Sequence, residues 1–270
     1  MKSIQHRQGN IDWYCELRGG GPTVVLIPSG EGDCGNFGNV AEQLATEFTV
    51  LTFDTPGFSR STAPPDEISP LKLADQIAAL VTSLGLAPAA FYGCSSGGIA
   101  VLDLVADHPE TVRNALVHEA ALVKDYAFPE MNRLEALNEL DDAGIAAVCK
   151  DMFRNQMNFD PRAWDALGPE YHSRLEKNYV TWIRHYPLHI GGLRTYTAEH
   201  LTPKPIAWSI GGFSSVWFGI SNLRVAQRAN IEVEILRCRH FPQVEIPDVL
   251  ANHIAKHSTH HLEEQRAASS

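Results

Sequence analysis

Residues 89–100 read AAFYGCSSGGIA: an apolar run, then Gly93-Cys94-Ser95-Ser96-Gly97, then the start of a helical pattern. A G-x-S-x-G motif arises by chance in a chain of this size with odds of roughly one in ten, given ordinary glycine and serine abundance. The context therefore carries the weight. The motif lies between a predicted strand (89–94) and a predicted helix (97–108), where a sharp strand-to-helix turn lifts a serine above the end of a sheet. Such a turn strains the serine backbone, and small flanking residues let strand and helix approach. The serine then sits at a helix N-terminus, whose free N–H groups favour negative charge on a bound oxygen. An ordinary glycine-rich helix start or a phosphate cradle is the alternative reading.

On either side of this stretch, IDWYCEL (11–17), TVVLIP (23–28), FTVLTFD (48–54), RNALVHE (113–119), PIAWSI (205–210) and IEVEILR (231–237) read as strands. Helical stretches near 37–47, 71–86, 221–229 and 244–257 alternate with them. This rhythm predicts a mostly parallel central sheet flanked by helices, and together with the G-x-S-x-G turn it reads as the α/β-hydrolase fold. From 122 to 202 helical periodicity dominates, in RLEALNEL, GIAAVCKDMF and YHSRLEKNYVTWIRHY. The expected organisation is a core of 1–121 and 203–270 with a helical cap, 122–202, inserted after the fourth central strand. The polar tail HLEEQRAASS is expected to fray.

Composition narrows the function. A chain of 270 residues, 44% of them hydrophobic, can bury one large core. A formal net charge of −10 argues against nucleic acid or an anionic membrane surface as partner and suits a small neutral substrate. Five cysteines, odd in number and without CxxC spacing, read as reduced thiols, with neither a disulfide framework nor a zinc site. The start, MKSIQHRQGNID, lacks the apolar stretch of a leader, and no run approaches the roughly 20 residues of a membrane span. The expectation is a soluble, cytoplasmic monomer or homodimer that needs no metal or organic cofactor.

A serine hydroxyl needs a base to take its proton. His240 follows the last strand and precedes Phe241-Pro242, the place of the histidine in the chain order serine, acid, histidine. His253, His257, His260 and His261 lie at or beyond the final helix and read as solvated, whereas His118 and His189 remain competitors. The acid commonly follows the strand before the histidine strand, yet SIGGFSSVWFGIS (209–221) holds no carboxylate, nor does any position between Pro205 and Ile231. Glu119, at the end of the fourth central strand, is the expected substitute. Asp54, before Pro56-Gly57, is the other candidate and reads better as a turn-capping residue. The oxyanion donors are expected to be the N–H of Ser96 and one from Pro28-Ser29-Gly30-Glu31-Gly32, with Gly30 favoured and Ser29 the alternative.

Several stretches together resemble the zearalenone lactone hydrolase family, which opens the macrocyclic ester of resorcylic acid lactones. They are FDTPGFSRS (53–61), YGCSSGG (92–98), RNALVHE (113–119), WDALGPEYHSRLEKNYVTWIRHYP (164–187), PKPIAW (203–208) and HFPQVEIPDV (240–249). The GCSSG core is common to many hydrolases, but the RLEKNYVTWIRHYP segment is specific. The resemblance implies a triad of Ser95, Glu119 and His240, an oxyanion glycine at Gly30 and a substrate-contacting tryptophan at Trp182. It also implies that the opened β-resorcylate product loses carbon dioxide. Two positions depart from the family: Ser29 stands where relatives carry Asp, and Met152 where they carry a small valine. Ser29, Met152, Phe153, Trp182 and Tyr186 are the expected substrate contacts. Independently, a cap rich in aromatics (Trp164, Tyr171, Tyr179, Trp182, Tyr186) suits a flat phenolic ligand, although such rings also simply pack helices together. A generic carboxylesterase and a ligand receptor on the same scaffold remain as alternatives; the first would prefer short acyl esters, the second would turn over slowly or not at all.

Overall fold

A computed structural model describes residues 1–123 and 134–269. Eight strands form one sheet in the order β1-β2-β4-β3-β5-β6-β7-β8. They are β1 Lys2–Gln8, β2 Ile11–Arg18, β3 Thr23–Ile27, β4 Thr49–Phe53, β5 Ala89–Cys94, β6 Val112–His118, β7 Ile206–Gly211 and β8 Val233–Leu236. β1 and β2 run antiparallel to their neighbours, and every pairing from β4 through β8 is parallel. The apolar runs take the central places because helices cover both faces and leave no side for water: β3, β5 and β6 are buried along their whole length.

Side chains alternate across the sheet and feed two cores. Phe91 and Val25 face the layer of helices Leu73–Ser83 and Ser96–Asp107, packing with Ile77, Leu80 and Val101. Tyr92 and Val24 face the opposite layer, with Phe37 from the turn Cys34–Phe37 and Leu44, Leu250 and Ile254 from helices Gly38–Leu44 and Pro247–Ser269. Each fully buried Leu, Ile, Val or Phe contributes roughly 1.5–3 kcal/mol, so these two layers hold the sheet flat against its helices. β3 lies between β4 and β5, so successive connections leave in opposite directions there and open a crevice at the carboxyl ends of β3 and β5.

Between β6 and β7 the described chain is helical: Asp142–Asp151, a π-helical turn Met152–Gln156, Pro161–Asp165, Pro169–His185 and Ala198–Leu201. The helical reading of RLEALNEL begins at Arg133, outside the described residues. Two sequence expectations change. β1 was not foreseen; this largely exposed strand forms a hairpin with the more buried β2 around the two-residue turn Gly9-Asn10, with Gln8 opposite Ile11. The tail expected to fray continues the last helix to Ser269. Among the described residues no helix is long and apolar enough to cross a membrane.

Candidate active site

The crevice gathers the expected residues from four strand ends. Ser95 follows β5 with φ 58° and ψ −121°, the strained turn that the motif predicts. The glycines are needed for close approach rather than flexibility alone. A Cβ at Gly93 would lie 2.2 Å from the Gly97 carbonyl oxygen, and one at Gly97 would lie 2.7 Å from the carbonyl oxygens of both Ile27 and Pro28. Helix Ser96–Asp107 starts at the next residue, so the Ser96 N–H lies in its unpaired first turn.

Glu119 follows β6 and is fully buried, also with a positive φ of 42°. His240 Nδ1 and Glu119 Oε2 are 2.7 Å apart. The end of β7 and the loop after it, which hold no carboxylate, supply donors to this one instead: Gly211 N–H at 2.7 Å to Oε1 and Ser214 Oγ at 2.8 Å to Oε2. Burial by itself would raise the Glu119 pKa. The hydrogen bond with His240, the neighbouring imidazoles and the Gly211 amide outweigh it and hold the carboxyl below its usual range. The carboxylate is therefore ionised at neutral pH and fixes the imidazole with Nε2 free for proton transfer.

The His240 ring stacks on Phe218, centroids 4.1 Å apart, and its carbonyl accepts the Cys94 thiol at 2.9 Å. Its N–H donates to the Met157 carbonyl at 3.1 Å, tying the histidine loop to the helical segment. Glu245 reinforces that tie, accepting the N–H of Phe159 at 2.8 Å and of Arg239 at 2.9 Å. Ser95 and His240 border the same cavity. No hydrogen bond joins the Ser95 hydroxyl to His240; in sites of this kind that bond commonly tightens only when substrate binds.

The other candidates occupy different places. Asp54 is fully buried but turned away to Arg60, whose Nε and Nη2 lie at 2.7 and 2.9 Å, and to the Cys34 N–H at 2.9 Å. His118 is buried behind Glu119 with Nδ1 2.9 Å from Ser209 Oγ, and burial lowers its pKa to about 4. The cavity, about 200 Å³, is lined by Ile99, Leu122, Met152, Met157, Trp182, Tyr186, Trp217 and Phe218, with Gln156, Ser214, Ser215 and Arg239 as polar points. Met152 and Gln156 come from the π-helical turn, a local widening frequent at functional sites.

Phe153, expected as a substrate contact, stands behind this wall: it stacks on Tyr179 and Phe241 and meets Trp182 edge-on. Ser29 is buried within the loop after β3 and does not line the cavity, its hydroxyl without a hydrogen-bond partner among the described residues. The cap aromatics divide. Trp182 and Tyr186 line the cavity, whereas Trp164, Tyr171 and Tyr179 converge on Glu31, a residue the sequence reading left without a role. Glu31 follows Gly30 directly and is fully buried; Trp164 Nε1 and Tyr179 OH donate to Oε1 at 3.0 Å each, and Tyr171 OH to Oε2 at 2.7 Å. Asp33 adds an ion pair with Arg174 at 2.6 Å. The loop after β3 is thus moored to the helical segment above it. A carboxylate between two glycines was the one available signal of this mooring, and it names no partner.

Residues 22–184 match the alpha/beta hydrolase fold family. A zearalenone hydrolase of Cladophialophora bantiana is 38% identical over 269 residues, covering 97% of this chain and 98% of that protein. A zearalenone hydrolase of Bionectria ochroleuca is 35% identical over 258 residues, covering 93% and 96%. Among solved structures, the enol-lactonase from Burkholderia xenovorans LB400 superposes with a TM-score of 0.73 at 17% identity, covering 92% of this chain and 96% of that one. That low identity speaks for the fold alone.

Proposed function

Because the chain belongs to the zearalenone hydrolase family of the α/β-hydrolase superfamily, we propose that it opens the macrocyclic ester of a resorcylic acid lactone such as zearalenone through an acyl-enzyme on Ser95. The observation that carries the mechanism is the 2.7 Å contact between His240 Nδ1 and Glu119, with His240 bordering the cavity onto which Ser95 opens. Ser95 Oγ attacks the lactone carbonyl while His240 Nε2 takes its proton and Glu119 stabilises the imidazolium. The N–H groups of Ser96 and Gly30 hold the oxyanion. As the tetrahedral intermediate collapses, His240 protonates the departing alkoxide. The ester is cyclic, so this hydroxyl stays attached to the acyl group. Water activated by His240 then releases the hydroxy acid and restores Ser95.

The described helical segment between β6 and β7 serves as the cap over this chemistry, with Trp182, Met152 and Tyr186 forming the substrate wall. The cavity supports a flat, largely apolar ligand, since most of its lining is aliphatic or aromatic. Met152, bulkier than the valine that the family resemblance places there, narrows the pocket and sets preference among related lactones. The reading is tested by following zearalenone by chromatography alongside a short-chain nitrophenyl ester, with wild type and Trp182→Ala. Lactone hydrolysis that Trp182→Ala weakens more than ester hydrolysis supports the assignment. Ester cleavage without lactone cleavage would instead mark a generic carboxylesterase with the same machinery.

A further inference from the structure

We propose that Glu234, His253 and His257 form a binding site for a divalent transition-metal cation of the zinc class, joining the last strand to the C-terminal helix. His253 and His257 are four residues apart on helix Pro247–Ser269, a spacing that stacks both imidazoles on one helix face; their ring centroids are 4.7 Å apart. Glu234 reaches them from β8, its Oε1 2.9 Å from His257 Nε2 and its Oε2 3.6 Å from His253 Nδ1. One ligand atom from each of the three lies within 4.8 Å of the others. Donors held 2.0–2.1 Å from one zinc ion sit roughly 3.3 Å apart, so shifts of about an ångström in side chains close the set. Two imidazole nitrogens and one carboxylate suit zinc and its first-row neighbours, whereas calcium and magnesium demand oxygen ligands.

His253 is buried, whereas His257 is only partly so. The sequence reading placed both histidines on a solvated surface; the fold instead presses the first against the edge strand. Glu234 is exposed, leaving room for water as a further ligand. None of the three lines the catalytic cavity. A metal here would cross-link the two elements that flank the His240 loop and stabilise the folded chain by mass action.

The test uses the full chain, stripped with chelator and exchanged into chelator-free buffer, with zinc chloride followed by calorimetry and cobalt(II) by visible absorption. One zinc per chain and a metal-dependent rise in melting temperature are expected. Glu234→Gln and His257→Asn should each bind at least about tenfold more weakly, while melting like wild type without metal. The double variant His260→Ala/His261→Ala should bind as wild type does. No zinc uptake by wild type, undiminished affinity in Glu234→Gln and His257→Asn, or affinity lost in the His260/His261 double variant would each overturn the proposal.

Discussion

The indole of Trp182 rests directly against Gly30: a methyl group added at Gly30 would meet Trp182 Cε2 and Nε1 at 3.1 Å each, and the tip of Phe153 at 3.3 Å. The tryptophan that walls the cavity is thus also the surface against which the proposed oxyanion loop is pressed. Gly30→Ala is expected to displace the loop and cut kcat by about 10–100-fold, somewhat short of the roughly 3 kcal/mol that a lost oxyanion donor costs. The melting temperature should barely change. Because the two residues touch, combining Gly30→Ala with Trp182→Phe should cost less than the product of the single losses, which a double-variant kinetic cycle measures.

The two carboxylates once in competition for His240 should now fail in different ways. Glu119→Gln keeps the shape but loses the charge opposite the imidazolium, and kcat should fall by about 10³–10⁴-fold with modest loss of stability. Asp54→Asn takes from the Arg60 guanidinium its closest carboxylate and leaves the longer contacts to Asp33 at 3.5 Å and Glu16 at 3.8 Å, which costs about 1–3 kcal/mol. Its effect should be read mainly in the melting temperature, with kcat of the folded enzyme near that of wild type.

Glu31 is the anchor between the oxyanion loop and the helical segment. Replacing it with Leu orphans three buried donors, those of Trp164, Tyr171 and Tyr179, at about 1–3 kcal/mol each. Glu31→Gln keeps an acceptor but turns an NH₂ towards donors. Thermal melts should rank wild type above Glu31→Gln and Glu31→Gln above Glu31→Leu.

Acid stability should carry the mark of His118. The folded chain keeps this ring neutral down to about pH 4, whereas an unfolded chain protonates it near its ordinary value of 6.5. Between those limits the unfolded state binds more protons, so the stability present above pH 6.5 drains away as pH falls towards 4. The ceiling is about 3 kcal/mol. Asp103, whose carboxyl burial raises to about 6, acts in the opposite sense over nearly the same range, so wild type alone shows only the balance. His118→Asn, compared with wild type by thermal melting from pH 7 to 4, should have a shallower decline.

Much of this architecture is legible in the residues because burial on both faces writes itself into a sequence. TVVLI and AAFYGC can only be interior strands, and the glycines around Ser95 declare a crowded turn. The carboxylate-free segment 209–221 pointed to Glu119 by elimination, and its Gly211 and Ser214 serve that same carboxylate. β1 escaped because KSIQHRQ has a single aliphatic side chain; it is held by its main-chain ladder to β2, and the Gly9-Asn10 turn was its only signal. Phe153, Glu31 and His253 escaped for another reason. Their roles depend on which element packs across from them, and helical periodicity says which face is buried without saying against what.

Zearalenone consumption by wild type and Ser95→Ala, both shown to be folded by thermal melting, decides whether Ser95 is the nucleophile. Wild type should consume the lactone, and Ser95→Ala should be slower by at least about 10³-fold while melting within a few degrees of it. A folded Ser95→Ala variant that retains activity within tenfold of wild type would rule out attack by Ser95.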